Sequence, residues 1–560
     1  MRHFKSTIAA LLAFSMIFPL ASCRKKVSDK EFEKKLTRST RTETTEPTET
    51  EPTDTEPTDT EPTDTEPTDT SSDPSNNQGL NLKAPVPEKN CAIEIPQDER
   101  FHYDMDLTLD PSNNTVSGHV VASFFNTSDK AWDELCLRDY ASLFKDSQTS
   151  GVQGSDGALT EITNIKVGAD DVTMRRDDDV SVVWFPLSKP LQPKDEMTMS
   201  YDFTAKIPSL KDRFGVYNDV YNVTNFYPIL AVYTEDGWSH EKFYNMGECF
   251  FSEVSDYNVM LTVPSEYKIL STGTETKTDV QGDKTTYTLS APCVRDFVFC
   301  ASKSFKFFEG DYKDTHIRVV YDEAHPASSE MDDCAQASLK AAQDSLAAFG
   351  EAFGEYPYPE LDIILAPIEA GGMEYPNLII CTAESFYCMK NSYESIPFEQ
   401  MSIVVAHEIG HQWFMGIVGS NSGMEPWLDE SFASYTEIVY AEYLGLTDQY
   451  DHYSKKYMDL SSTAIHDSLK SMDQIPINRS YYSFSSENAY VYAAYEIGKQ
   501  ALYQMEECIG REEFHAIIRE YVHRNAFTNS TEDRFFEVLF ECAGQDNQEL
   551  NALVDSVFER

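Results

Sequence analysis

The stretch VVAHEIGHQWF, residues 404–414, is the strongest constraint in this 560-residue sequence. It sets two histidines and a glutamate in an otherwise apolar run. Burying ionisable groups is costly unless something pairs with them. On a helix, His407 and His411 project from one face, a turn apart. That spacing suits two nitrogen ligands on one Zn²⁺, with Glu408 able to reach a metal-bound water. Two core histidines satisfied by hydrogen bonds are the plain alternative.

A second segment, EPWLDESFASYTEIVYAEYLG, reads as another apolar helix with Pro426 in its first turn. Glu430 follows His411 with eighteen residues between them. A loop and half a helix can bring that carboxylate back against the first helix as a third ligand. Two histidines, one carboxylate and an open fourth position make a catalytic rather than a structural arrangement, with one zinc ion per chain. Glu437, two turns on, is expected to be a solvated helix-face residue, with a hydrogen bond to a zinc histidine as the alternative.

H-E-x-x-H, eighteen residues, then Glu within WLDESFASY resembles the gluzincin aminopeptidases of the aminopeptidase N and leukotriene hydrolase family. GGMEYPN, residues 371–377, is similar to that family's G-x-M-E-N exopeptidase motif, and YAAYEIGKQALYQM to its Y-x-x-G segment. The resemblance implies that Glu374 binds the free α-amine of a peptide. It implies that the backbone of Gly371, Gly372 and Met373 pairs with the peptide as an edge strand. It also implies that Tyr495, three before Gly498, stabilises the tetrahedral oxyanion, with Tyr490 and Tyr492 close by. Two departures stand out. Tyr375 replaces the family's Asn after M-E, and NFYPILAVYTEDGW replaces its FPC-x-DEP region, so the β-domain side chain that helps hold the amine has no assigned position.

The expected activity is that of a zinc-dependent aminopeptidase releasing N-terminal residues from peptides, with zinc-activated water and Glu408 as general base. A thermolysin-type endopeptidase is the first rival, although it needs no amine anchor. An epoxide hydrolase is a further branch of the family, and no residue argues for it. A surface binding lipoprotein with a structural zinc site is the rival from another class. The non-ligand Glu408 counts against it.

Residues 1–23, MRHFKSTIAALLAFSMIFPLASC, have a basic start and an apolar run too short to span a bilayer. LASC resembles the lipobox of bacterial lipoproteins, which implies membrane anchoring through lipidated Cys23 and an extracytoplasmic location. A plain secretory signal is the alternative. Residues 24–89 read as a disordered acidic linker rich in Thr and Pro, with five copies of a five-residue unit from Glu46 to Thr70. Residues 90–310 alternate polar and apolar side chains between turn signals, as in FHYDMDLTLDPSNNTV, which is hairpin grammar. Residues 311–560 give a long helical pattern, a strand-like stretch around PELDIILA, and mostly helix from Phe398.

The expected fold is multidomain: an N-terminal antiparallel, saddle-like β domain, then an α+β thermolysin-like zinc peptidase domain, with no C-terminal helical domain. The net charge of −49 argues against nucleic acid and anionic membrane surfaces as partners and favours solubility. Ten cysteines follow Cys23 without a C-x-x-C pattern, so mostly buried free thiols are expected, with one or two disulfides open.

Overall fold

Phe101–Asp110 buries Phe101, Tyr103, Met105, Leu107 and Leu109 on one face, as period-two alternation requires. The chain reverses with Asn114 at a φ of 51° and returns antiparallel as Thr115–Phe125. In the computed structural model, which describes residues 81–97, 100–244, 249–324, 328–383, 398–446 and 458–560, this hairpin lies at the centre of an eight-stranded sheet. The sheet is antiparallel except where Phe101–Asp110 runs parallel to Ser255–Pro264. Two four-stranded sheets and a two-stranded pairing of Tyr233–Thr234 with Gly237–Trp238 accompany it in the β-rich part. The leader with Cys23 and the repeat-bearing stretch to residue 80 lie outside the described residues, as does Cys388. Six of the described cysteines are buried thiols.

Packed chain begins before the expected linker end at residue 89. Val86 is buried, the Lys83 amide donates to Cys542 O at 2.8 Å, and Arg519 donates to Pro87 O at 3.2 Å. The reason is composition: LNLKAPVP carries the apolar side chains that the repeats lack, so it can repay its ordering entropy.

A five-stranded sheet carries the second half. Its strands are β1 (Phe305–Tyr312), β2 (Thr315–Asp322), β3 (Glu360–Ala366), β4 (Gly372–Tyr375) and β5 (Leu378–Thr382), in the spatial order β1-β2-β3-β5-β4. The expected boundary at residue 310 falls inside β1, because the β1–β2 hairpin pairs through β2 with β3. β3 is buried along its whole length and runs parallel to both neighbours, which is why residues 363–366 read as an apolar run, while Glu360 and Asp362 pair with Arg318 of β2. Helix α1 (Ser328–Phe353) packs on this sheet and on α2 (Phe398–Trp413). Helix α3 (Trp427–Tyr443) lies against α2 and is buried around its full circumference from Trp427 to Ala441.

Two features fix the cleft. β4 is an edge strand that reaches β5 through a tight Pro376-Asn377 turn, with Asn377 at a φ of 59°. Gln412 of α2 pins that turn, accepting from the Asn377 amide at 2.9 Å and donating to Tyr375 O at 3.2 Å. From the β-rich part, the fully buried Arg295 donates to Gly416 O at 3.0 Å just after α2 and to Thr528 O at 2.7 Å. Burial lowers its pKa to about 10, which leaves it charged at neutral pH.

Candidate active site

Ile403, Val405, Ala406 and Ile409 bury the apolar face of α2, and His407 and His411 meet on the adjoining face. Their Nε2 atoms lie 3.3 Å apart. Each Nδ1 is held from behind by a carboxylate: Glu437 Oε1 at 2.9 Å for His407 and Asp429 Oδ1 at 2.7 Å for His411. An Nδ1–H given to a carboxylate leaves the Nε2 lone pair free to ligate. Glu430 stands in the first turn of α3 with Oε2 at 3.6 Å from His407 Nε2 and 3.5 Å from His411 Nε2. That oxygen accepts no hydrogen bond among the described residues, although it is buried.

These atoms fit a zinc ion. Tetrahedral ligands at zinc's usual bond lengths stand about 3.3 Å from one another, and the three edges here are 3.3, 3.5 and 3.6 Å. The electrostatics agree with the donor set. Burial by itself would lower the His407 pKa, yet Glu430 and Glu437 raise it to about 9, and Glu374 and Asp429 hold His411 well above its ordinary value. The surrounding carboxylates draw protons onto imidazoles that a divalent cation displaces on binding.

Glu408 is buried, and desolvation raises its pKa. Its carboxylate lies directly on the backbone of Gly372, where a Cβ would collide with Oε1. Only glycine at this point of β4 lets the edge strand and the carboxylate share the space. Glu374, two residues along β4 and 3% exposed, lies beside His411. One of its carboxylate oxygens, a His411 ring nitrogen and an Asp429 carboxylate oxygen fall within 4.8 Å of one another. Met373 and Tyr375 point to the opposite face and are buried in an apolar cluster with Ile380. A cleft lined by Glu374, Met373, Tyr140, Phe250, Asn225 and Asp296 joins the edge strand to the β-rich part.

Tyr495 donates its hydroxyl to Glu430 Oε1 at 2.5 Å, and its ring lies parallel to that of His407, 6.1 Å away. It stands in a π-helical segment, Tyr492–Ile497, just before α4 (Gly498–Ile509). Ser431, next to Glu430, donates to Ala494 O at 2.6 Å, satisfying a carbonyl of that irregular turn. Tyr490 packs instead between Tyr481 and Tyr495.

Glu437 is a correction: it is buried, not solvated, and it supports His407. The apolar character of α3 all round was the signal, since such a helix is enclosed on every side. Asp429, behind His411, and Lys499, beside Glu437 at 3.3 Å, were not found from sequence. Tyr375, a departure from the motif, has a structural use: its hydroxyl meets Thr224 Oγ1 at 2.7 Å and Asn225 Oδ1 at 2.8 Å, tying β4 to the β-rich part.

Residues 337–557 match the Peptidase family M1 domain. That segment contains His407, His411 and Glu430, which could hold a metal ion, and the match agrees with the resemblance to the gluzincin aminopeptidases. Among its relatives, aminopeptidase M1-B of Oryza sativa subsp. japonica is 25% identical over 52% of this chain and 33% of the relative. Glutamyl aminopeptidase of Sus scrofa is 26% identical over 51% of this chain and 30% of the relative. The aligned part thus spans about a third of the length of these curated relatives. In fold, the chain is similar to the crystal structure of an M1 zinc metallopeptidase from Deinococcus radiodurans, with a TM-score of 0.55 and 17% identity. That likeness covers 85% of this chain and 95% of the other.

Proposed function

We propose that this chain is a zinc-dependent aminopeptidase that releases N-terminal residues from peptides. One observation carries the reading: Glu374, a buried carboxylate on an edge strand, lies within 4.8 Å of a ring nitrogen of His411. A fixed anion at that place selects a cationic N-terminus and sets cleavage one residue in. An endopeptidase has no use for it.

The roles follow from position. Glu374 accepts the α-amine, and the edge of β4 at Gly372 and Met373, with Gly371 just before it, pairs with the peptide backbone. His407, His411 and Glu430 would hold a zinc ion, which would supply Lewis acidity for the scissile carbonyl and the attacking water. Glu408 takes a proton from the attacking water and passes it to the leaving amine, and its raised pKa suits both steps. Tyr495 offers its hydroxyl to the developing oxyanion. Glu437 and Asp429 hold the two imidazoles in the ligating tautomer.

The test is hydrolysis of an unblocked peptide and its N-acetylated twin, with and without a zinc chelator. We expect chelator-sensitive, stepwise cleavage of the free-amine peptide alone. Equal cleavage of both twins would point to an endopeptidase, and cleavage of neither to a binding protein. We also propose that the chain works outside a bacterial cytoplasm, anchored through lipidated Cys23, on the strength of the LASC sequence. A Cys23→Ser variant is then expected in the soluble rather than the membrane fraction, and unchanged membrane partition would end that proposal.

A further inference from the structure

Behind the metal-ligating histidines runs a buried line of charge. Lys499, one residue into α4 after Gly498, is 2% exposed, with its Nζ 3.3 Å from Glu437 Oε2 and 3.5 Å from Glu496 Oε1. Glu437 uses its other oxygen to hold His407 Nδ1 at 2.9 Å. Glu496 follows Tyr495 in the π-helical segment. One ammonium therefore joins the carboxylate behind a ligand to the turn that presents the phenol.

We propose that Lys499 is a positioning residue for the metal, acting through Glu437. The proposal rests on the zinc-peptidase reading above. A glutamate side chain has three rotatable bonds, and one hydrogen bond to His407 does not fix them. A second contact, from Lys499 to the other oxygen, sets the carboxylate plane and so aims Oε1 at Nδ1. The imidazole ring then keeps Nε2 facing His411 and Glu430, which is the geometry the ion needs. Glu496, three residues earlier on the same face, takes another donor of the same ammonium, so a shift of the Tyr495 turn is felt at His407. Burying a lysine is costly unless it is paired, and two carboxylates meet that cost at a place where an apolar side chain would pack more simply.

The experiment measures zinc affinity by competition with a chromogenic chelator, alongside kcat, KM and thermal unfolding of the zinc-free proteins. In Lys499→Met we expect zinc to bind about 10- to 100-fold more weakly, the range found when such outer partners are lost. The zinc-saturated enzyme should lose kcat with KM little changed. Lys499→Arg, which keeps the charge and the donors, should recover most of the affinity. In a Glu437→Gln background, Lys499→Met should cost no further zinc affinity, because its path of action is already cut. A merely structural lysine would lower the melting temperature in both backgrounds and leave zinc affinity alone. Affinity within twofold of the native protein in Lys499→Met, or an equal loss in both backgrounds, would overturn the proposal. If the Met variant does not fold, Lys499→Gln carries the same comparison. Failure of the native protein to bind zinc would sink the zinc reading itself, a result the variants do not mimic.

Discussion

Gly372 and Glu408 occupy one place from two elements, and neither tolerates change without moving the other. Glu408→Gln keeps size and shape but cannot take up a proton, so turnover should fall by roughly 10²- to 10⁴-fold, the usual worth of a general base. Gly372→Ala puts a methyl where the Glu408 carboxylate sits, and displacement by about 1 Å is enough to lose on the order of 100-fold. The double variant should be little worse than Glu408→Gln alone, since both act on one group. Steady-state kinetics with zinc content measured in parallel would check this, and additive losses would separate the two residues.

Among elements, α3 meets the start of α4 with no room for a side chain at Gly498. A Cβ on Gly498 would collide with Ser431 Oγ, the atom that satisfies Ala494 O in the π-helical turn. Gly498→Ala should therefore cost about 1–3 kcal/mol, the range for overpacking a close-packed interior. Adding Ser431→Ala removes the clashing atom and should return part of that loss, although the Ala494 carbonyl then lacks its donor. Denaturant unfolding of the three variants reads the coupling directly. A Gly498→Ala protein as stable as the native one would show that the two helices separate at no cost. The β4–β5 hairpin is the other sensitive element, because Gln412 and Tyr375 hold it from opposite sides.

For the whole molecule, the pH dependence of stability follows from buried carboxyls. Burial raises Asp296 to about 7, against the donated bonds of Tyr227, Asn225 and the Phe297 amide, and burial also raises Glu425 to about 7. A folded pKa above the unfolded one means that the native state binds the extra proton between about pH 4 and 7. Stability is then full below the unfolded pKa and is lost as pH rises through the folded one. With a net charge of −49, self-repulsion acts in the same direction as pH rises. The zinc-free protein should melt at a higher temperature at pH 6 than at pH 8. Asp296→Asn and Glu425→Gln should each flatten that difference, as thermal scans at the two pH values would show. A higher melting temperature at pH 8 in the native protein would contradict the assignment.

The sequence by itself determined what lies within a few turns of chain. The 3.6-residue period puts His407 and His411 on one face, the Asn113-Asn114 turn closes the first hairpin, and Pro426 opens the helix that carries Glu430. These are local consequences of backbone geometry, so they are readable without a fold. The tertiary structure alone decided which groups stand behind the site. Glu437 reaches His407 from thirty residues away, Lys499 reaches Glu437 from sixty-two, and Arg295 reaches Gly416 from 121. Such pairs are set by how buried faces pack, and no local period records them. The same reason made Glu437 read as solvated, because a single charge on a helix shows its environment only once the helix is enclosed.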